Sequence, residues 1–113
     1  MTKFVDDDGY PTHEALNKIA NWEFGDSEGW FAFIKEIWYL QYWGWFEVEE
    51  IDEIFKRPIK RIYISTAGWG GNEAIIMAMQ KNHVLWRWHW YSSQRGGHYV
   101  FEKTTDMLYK NNT

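Results

Sequence analysis

Tryptophan is the feature that most constrains how this chain can fold. Nine of its 113 residues are Trp, and aromatic side chains make up 20% of the sequence. An indole ring is large and carries an N–H group that needs a hydrogen-bond partner when buried, so many such rings make an awkward core. A chain of this length buries one core without covalent staples. We therefore expect some rings in the core and others at a surface used for recognition.

The remaining composition excludes several classes of protein. The chain has no Cys, so it has neither a disulfide framework nor a thiolate metal site, and a reducing compartment is favoured. The first residues lack the apolar segment of a signal peptide, and no apolar run approaches the roughly 18 residues that a membrane span needs. We expect a cytoplasmic protein that does not enter a membrane.

Charge is distributed unevenly along the chain. Residues 1–56 carry 4 basic and 13 acidic side chains, whereas residues 57–113 carry 8 basic and 3 acidic ones, and the formal net charge is −4. General nucleic-acid binding is not expected, because a domain with that function is basic. The positive balance of the second half favours an anion as its ligand.

The first half of the chain predicts two helices. Thr12 is a suitable N-cap for a short helix, and apolar residues recur at helical spacing from Ser27 to about Leu40, after a cap formed by the preceding Gly-Asp-Ser. Residues 41–58 are ambiguous. Within them, residues 45–48 fit a strand, whereas the apolar spacing over residues 48–55 fits one face of a helix.

The second half predicts strands around one helix. Residues 60–66 fit a strand and residues 72–80 a helix. Residues 84–92 fit a second strand in which Trp86, Trp88 and Trp90 share one face, because strand side chains alternate. A hairpin turn over residues 94–97 then leads into a partner strand over residues 98–103.

These elements predict an α+β fold, with two N-terminal helices packed on a small three-stranded sheet, one crossover helix and a C-terminal β-hairpin. Residues 1–113 are expected to form a single domain, with residues 1–11 as an extended arm and residues 104–113 as a loose tail. The apolar faces predict a buried core of Trp30, Phe33, Ile34, Ile37, Ile62, Ile64, Ile75, Ile76 and Met79.

Two glycine-containing turns are candidates for a binding site. The first, residues 65–73, joins a strand to a helix, where exposed backbone N–H groups favour an anion. It has neither the Lys of a P-loop nor a dinucleotide fingerprint. The second, residues 92–99, places an Arg and a His around a flexible turn beside two hydroxyls, which suits a carboxylate or a phosphate. The candidate ligand-binding residues are Ser65, Thr66, Trp69, Gly70, Gly71, Asn72, Glu73, Ser93, Arg95 and His98.

Each turn also has a purely structural interpretation. Gly68, Gly70 and Gly71 can supply positive φ angles for a sharp turn, with Asn72 or Thr66 capping the helix. The second turn can be an ordinary exposed hairpin. A triad of Ser65 or Ser92 with His98 and Glu73 can be drawn, but the sequence has no nucleophile-elbow motif, and the scattered His residues form no zinc-helix pair. We therefore assign no catalytic residue, metal or cofactor.

The two turns form one site only under a condition on the sheet. Loops at the carboxyl ends of two strands lie at the same edge if the strands run parallel, and the intervening helix makes a parallel crossover plausible. Antiparallel strands would place the turns at opposite edges. The hypothesis of a shared site therefore depends on the direction of the strands at residues 60–66 and 84–93.

The two turns also carry a resemblance. Residues 64–73 and 92–99, together with residues 12–16 and the Trp-rich second helix, look like a set of small phage and prophage proteins of unknown function. The match covers roughly residues 12–102, and the acidic stretch from Glu47 to Phe55 looks like an insertion. The resemblance implies phage origin and expression inside a bacterial cell, and it implies no activity or catalytic residue.

Three functions follow as expectations. The first is an accessory phage-type protein, including a counter-defence role, that binds a small anionic ligand such as a nucleotide without catalysis. Rings such as Trp69 would stack on a base and Arg95 would hold a phosphate. The alternative is an interaction module that docks on a host protein through exposed Trp and the acidic residues 47–53. The third is an enzyme that acts on a phosphoester through His98.

Overall fold

A computed structural model describes residues 4–54 and 56–104. It shows five helices and a four-stranded antiparallel sheet in strand order β1-β2-β4-β3 over this range. The α+β class is therefore confirmed, but the sheet has four strands rather than three. In chain order, the elements are α1 His13–Ala20, α2 Ser27–Ile37, α3 Gln41–Gly44, β1 Trp45–Ile51, β2 Pro58–Ser65, α4 Gly70–Lys81, α5 His83–His89, β3 Trp90–Gln94 and β4 His98–Thr104.

Both predicted N-terminal helices form, and each begins at a side-chain cap. The Oγ1 of Thr12 accepts a hydrogen bond from the N–H of Ala15 at 3.2 Å, at the start of α1. At the start of α2, Asp26 accepts from the N–H of Gly29 at 3.0 Å. Such bonds satisfy donors that have no partner inside the helix. The second helix ends at Ile37, slightly earlier than the periodicity predicts.

The fourth strand comes from the ambiguous segment. β1 pairs antiparallel with β2 along its whole length, from Trp45 opposite Ile64 to Ile51 opposite Pro58. The strand interpretation of residues 45–48 is therefore correct, and the helix over residues 48–55 is wrong. The apolar residues of this segment fit both periods, and pairing with β2 decides between them.

Residues 84–89, predicted as part of a strand, are helical. Asn82 caps α5 by accepting from the N–H of Leu85 at 3.4 Å. Leu85 and His89, which are four residues apart, are both buried. The strand prediction relied on the alternation of Trp86, Trp88 and Trp90. Trp86 and Trp90 are also four residues apart, a spacing that fits one face of a helix, and their ring centroids are 6.4 Å apart. The connection between β2 and β3 therefore contains two helices instead of one.

The first glycine turn is shorter than predicted. α4 begins at Gly70, so this residue and Gly71 are helical, and neither Thr66 nor Asn72 caps the helix. Positive φ angles occur instead at Ala67 (57°) and Gly68 (73°). The hairpin turn before β4 is as predicted, with positive φ at both of its glycines.

Residues 4–11 of the predicted N-terminal arm form a turn instead of an extended segment, and residues 1–3 lie outside the described range. Val5 forms a β-bridge with Pro11, and the N–H of Asp6 donates to the carbonyl of Tyr10 at 2.9 Å. This turn brings Phe4 and Val5 against the core. The predicted tail is described only at Thr104, which belongs to β4, and residues 105–113 lie outside the described range. No helix of the described residues is long and apolar enough to cross a membrane.

The sheet has two faces with different roles. The inner face packs against the helices and contributes Trp45, Ile62, Ile64 and Phe101 to the core. All nine residues predicted for the core are buried, so that prediction is confirmed. Because strand side chains alternate, the intervening residues lie on the opposite face, which we call the outer face: Phe46, Val48, Glu50, Arg61, Tyr63, Ser65, His98, Val100 and Glu102.

Candidate functional site

The two glycine turns lie side by side at one edge of the sheet. β2 and β3 are both antiparallel to β4, so they run in the same direction and end at the same edge. Ser65, at the end of β2, is paired with His98, which is also paired with Gln94 at the end of β3. The N–H of Thr66 donates to the carbonyl of Gly97 at 3.0 Å. The condition for a shared location is therefore met.

An open groove of about 630 Å³ lies on the outer face beside this junction. Its volume is within the range of small-molecule sites, about 300–1,000 Å³. Ser65 and His98 are the two residues of the predicted set that line it. We call it the loop-edge groove, and its lining residues are Trp43, Gly44, Phe46, Tyr63, Ile64, Ser65, Gln94, His98, Tyr99 and Val100.

Three aromatic rings in the groove have no aromatic partner among the described residues. Eight of the nine tryptophans contact another aromatic ring in the described part of the chain. Trp43 does not, and neither do Phe46 and Tyr63. These three residues are 57%, 55% and 37% exposed. Their ring faces are therefore available to stack on a planar ligand.

Trp43 is held at the rim of the groove by a close approach of α3 to β2. A Cβ atom added at Gly44 would lie 2.8 Å from the backbone oxygen of Ser65. The same oxygen accepts a hydrogen bond from the Nε1 of Trp38 at 3.2 Å. Any side chain at position 44 would push α3, and Trp43 with it, away from the sheet.

Arg95 is the cation next to the groove. It is exposed at the tip of the hairpin turn and makes no hydrogen bond or ion pair with the described residues. The ring of His98 lies beside the neighbouring Gly96, where a Cβ atom would be 3.4 Å from it. His98 lines the groove, and Arg95 directly follows the lining residue Gln94, so both residues belong to the loop edge, where a cation favours an anion.

The opposite end of the outer face carries a closed charge cluster. Arg61 donates to Glu50 at 3.0 Å and to Glu102 at 2.7 Å, and it lies 4.5 Å from the ring centre of Tyr91. Burial alone would lower the pKa of Arg61, but its hydrogen bonds to the two carboxylates raise it. One guanidinium faces two carboxylates, so this end of the face is acidic.

Two predicted site residues support the first turn from below. Thr66 and Asn72 are buried, each 1% exposed. The amide of Asn72 donates to the carbonyl of Tyr39 at 3.1 Å and accepts from its N–H at 3.0 Å. The Oγ1 of Thr66 accepts from the N–H of Gly68 at 3.4 Å. These side chains hold the turn in place and do not line the groove.

The start of α4 is covered by the N-terminal segment. The ring of Trp69 contacts those of Tyr10 and Tyr39, with centroids 4.5 Å and 4.6 Å away. Cβ atoms added at Gly70 and Gly71 would meet Tyr10 at 3.4 Å and Pro11 at 3.1 Å. Trp69 thus stacks on two rings of the protein itself, and Tyr10 and Pro11 pack over the first turn of the helix.

The remaining predicted residues also lie off the groove. The Oγ of Ser93 accepts from the Nε1 of Trp90 at 2.7 Å, and its position opposite Tyr99 places it on the inner face. Glu73 is exposed on the first turn of α4. The structure thus places Ser65 and His98 in the groove and Arg95 directly after the groove residue Gln94, and ligand binding by any of the ten residues stays a prediction.

Sequence reasoning missed Trp43, Phe46, Tyr63, Gln94 and Val100. A signal for one of them was present, because Tyr63 lies between Ile62 and Ile64, whose burial implies that it faces the other way. Phe46 could have been assigned only after residues 45–51 were known to pair with β2. The sequence does not show which exposed rings gather at one place.

The serine–histidine contact found in the described residues is structural. His89 is buried, its Nδ1 lies 2.9 Å from the carbonyl oxygen of Glu102 and its Nε2 lies 2.7 Å from the Oγ of Ser27. The carbonyl can only accept, so Nδ1 donates to it and Nε2 accepts from the hydroxyl in the neutral ring. Burial lowers the pKa of His89. This pair joins α2 to β4 and does not line the groove.

The part of the chain that the structure describes contains no group of three or more His, Asp or Glu residues placed to hold a metal ion. Comparison with protein-family models, with curated proteins and with solved structures finds no match to this chain. Its function must therefore be inferred from its own geometry.

Proposed function

We propose that this protein captures a small anionic ligand that carries an aromatic ring, such as a nucleotide, in the loop-edge groove and does not transform it. The observation that carries the proposal is the meeting of two complementary features at one edge of the sheet. Three rings that have no ring partner in the described part of the chain line the groove, and Arg95, which has no ion-pair partner there either, directly follows the lining residue Gln94. A nucleotide has the two matching parts, a flat base and a charged phosphate.

The rings supply most of the contact area. Phe46 and Tyr63 are directly opposite each other on β1 and β2, so they form a continuous floor on the outer face. Trp43 stands at the rim. Stacking of a base on an aromatic side chain contributes about 1–3 kcal/mol, and it needs no preorganised hydrogen bonds.

The loop edge supplies the charge. The guanidinium of Arg95 can bind two oxygens of a phosphate at once. His98, Ser65 and Gln94 line the same end of the groove and can add hydrogen bonds. We assign the groove no nucleophile or metal, and binding without catalysis is the function that these groups support. In a phage-type accessory protein, this activity would sequester a host metabolite or signal in the bacterial cytoplasm.

The direct test is calorimetric titration and thermal-shift measurement with a panel of nucleotides. Trp43→Ala should weaken binding roughly five- to 150-fold, the equivalent of one lost stacking contact of about 1–3 kcal/mol. Arg95→Ala should abolish binding of the phosphate-bearing ligand, and Arg95→Lys should weaken it through loss of the two-pronged contact. Ligand binding should also change the fluorescence of Trp43.

Two matched controls separate the groove from general surface effects. Tyr42→Ala removes an 80% exposed ring next to Trp43 that does not line the groove. Arg87→Ala removes an exposed Arg on α5. Both variants should bind as the wild type does. The proposal fails if no nucleotide binds the wild type, or if Trp43→Ala and Arg95→Ala bind as tightly as the two controls.

Docking on a host protein is a second candidate, favoured by exposed apolar residues along the β1 edge. Val48, Ile51 and Ile54 are 40%, 61% and 80% exposed. The acidic rim expected for this role is weaker than its sequence suggests, because Glu47 is within 4 Å of both Lys35 and Lys60. If this candidate is correct, the double variant Ile51→Ser/Ile54→Ser should lose a host partner in pull-downs, whereas Arg95→Ala should retain it.

A further inference from the structure

We infer that the ligand of the loop-edge groove carries a single phosphate group, so that it belongs to the class of nucleoside monophosphates rather than to the di- or triphosphates. The inference rests on the proposed function and specifies how many phosphate groups the ligand carries. It follows from the number and position of the cations and anions around the groove.

Only one unpaired cation borders the groove in the described part of the chain. This cation is Arg95, which is not itself a lining residue but directly follows the lining residue Gln94. The nearest guanidinium on the outer face, that of Arg61, is occupied by Glu50 and Glu102. Lys60 lies on the inner face, near Glu47. A second or third phosphate would therefore find no further cation among the described residues to neutralise it, whereas sites for triphosphates supply several cationic groups or a metal ion.

The two ends of the groove give the ligand a direction. Ser65 and His98 pair at the loop edge, and Arg61 and Glu102 pair four residues further along the same strands. At about 3.4 Å per residue, the two ends are about 14 Å apart. The hydroxyl of Tyr63 lies 3.3 Å from the Glu50 carboxylate, so an acidic cluster closes the far end. The phosphate belongs at the loop edge, and the uncharged base belongs on the rings.

The start of α4 does not provide another phosphate subsite. Tyr10 and Pro11 pack over Gly70 and Gly71, and Glu73 adds a carboxylate to the first helical turn. An anion is favoured at a helix N-terminus only where the N–H groups are open to it. This turn therefore differs from the phosphate-binding loops that hold several phosphates at once.

The experiment compares a nucleoside with its 5′-mono-, di- and triphosphates by calorimetry on the full chain, in buffer that contains EDTA. The base is the one that binds best in a first screen of the four nucleoside monophosphates. The monophosphate should bind at least about tenfold more tightly than the nucleoside, as expected for one charge-assisted contact. The di- and triphosphates should bind no more tightly than the monophosphate.

Substitution assigns the phosphate effect to one residue. In Arg95→Ala, the monophosphate should bind no better than the nucleoside, whereas Arg87→Ala should keep the wild-type order. Raising the salt concentration should weaken binding of the monophosphate to the wild type, and this salt dependence should be smaller in Arg95→Ala.

The outcomes separate the inference from the proposed function. Tighter binding of the triphosphate than of the monophosphate by about tenfold, lost in Arg95→Ala, would overturn the single-phosphate inference and leave nucleotide capture intact. Equal binding of the nucleoside and the monophosphate would overturn the inference and the anionic part of the proposed function. If neither the nucleoside nor any of its phosphates binds, both fail.

Discussion

The two faces of the sheet use the same residue types for different purposes. On the inner face, aromatic rings pack in pairs: Trp38 contacts Trp45, and Phe31 contacts both Trp30 and Phe101. On the outer face, Phe46 and Tyr63 have no ring partner among the described residues and are partly exposed. The number of aromatic residues therefore does not show which rings belong to the core and which are exposed. The neighbours of each ring decide that.

Hydrogen bonding follows the same division. The Nε1 of the fully buried Trp30 donates to the carbonyl of Ile19 at 3.1 Å, and the Nε1 of Trp38 donates to that of Ser65 at 3.2 Å. A buried indole N–H without a partner would cost about 1–3 kcal/mol. The backbone thus supplies the acceptors that make these tryptophans acceptable in the core.

The strongest test of the comparison replaces one tryptophan in the core and one at the loop-edge groove. Trp30→Ala should destabilise the protein by about 3–5 kcal/mol, because it empties a large buried volume. Trp43→Ala should change stability by less than about 0.5 kcal/mol, as expected for an exposed side chain. Urea denaturation of the two variants measures both values. Similar losses of stability in the two variants would mean that the ring of Trp43 is also part of the core.

A second test acts on the junction that places the groove. At Gly97 the φ angle is +80°, and a Cβ atom there would collide with the Oγ1 of Thr66. Gly97→Ala should cost about 2–5 kcal/mol, from backbone strain and overpacking together. At Gly96 the φ angle is +85°, but the nearest atoms, in the His98 ring, would be 3.4 Å away.

The matched variant Gly96→Ala should therefore cost only about 1–2 kcal/mol, from strain alone. Thermal denaturation of both variants gives the difference, and ligand titration should show weaker binding in Gly97→Ala. Equal destabilisation by the two substitutions would show that contact between the turns does not matter for stability.

The smallest expected effect is a pH dependence that originates on the helix side of the sheet. Burial lowers the pKa of His89 below its ordinary value of 6.5, so the unfolded chain takes up a proton more readily than the folded one. The contribution of the neutral His89 to the free energy of unfolding should be fully present above pH 6.5. It should decrease as the pH falls through 6.5 towards the pKa of His89 in the folded protein. Melting temperatures between pH 5 and pH 8 measure this slope.

His89→Gln should flatten the dependence of the melting temperature on pH, because Gln does not titrate. The variant should also be less stable than the wild type at every pH. The loss at neutral pH reflects weaker bonds to Ser27 and to the carbonyl of Glu102. An unchanged slope in this variant would assign the pH dependence to other groups.

Local signals in the sequence were sufficient for part of the fold. The cap at Thr12, the helical spacing through Ile34 and Ile37, and the pair of glycines before β4 each act within a few residues. The structure has these features where they were predicted. No local signal determines the direction of β2 relative to β3, because that direction depends on β4 lying between them.

Long-range contacts decided the parts that were wrong or open. Residues 84–89 alternate like a strand, but they form α5 because Leu85 and His89 can both be buried in that form. Residues 45–51 form β1 because β2 offers an unpaired edge. In both cases two periods fit the same residues, and burial against distant segments selects one.

For the candidate site, the sequence by itself determined the chemistry available: two glycine turns, an Arg and a His beside one of them, and a surplus of tryptophan. Only the tertiary structure decided that the turns touch, that Trp69 and Asn72 serve the fold, and that Trp43, Phe46 and Tyr63 line one groove. The reason is physical. The availability of a side chain for binding depends on what already contacts it, and most of those contacts come from residues far away in the chain.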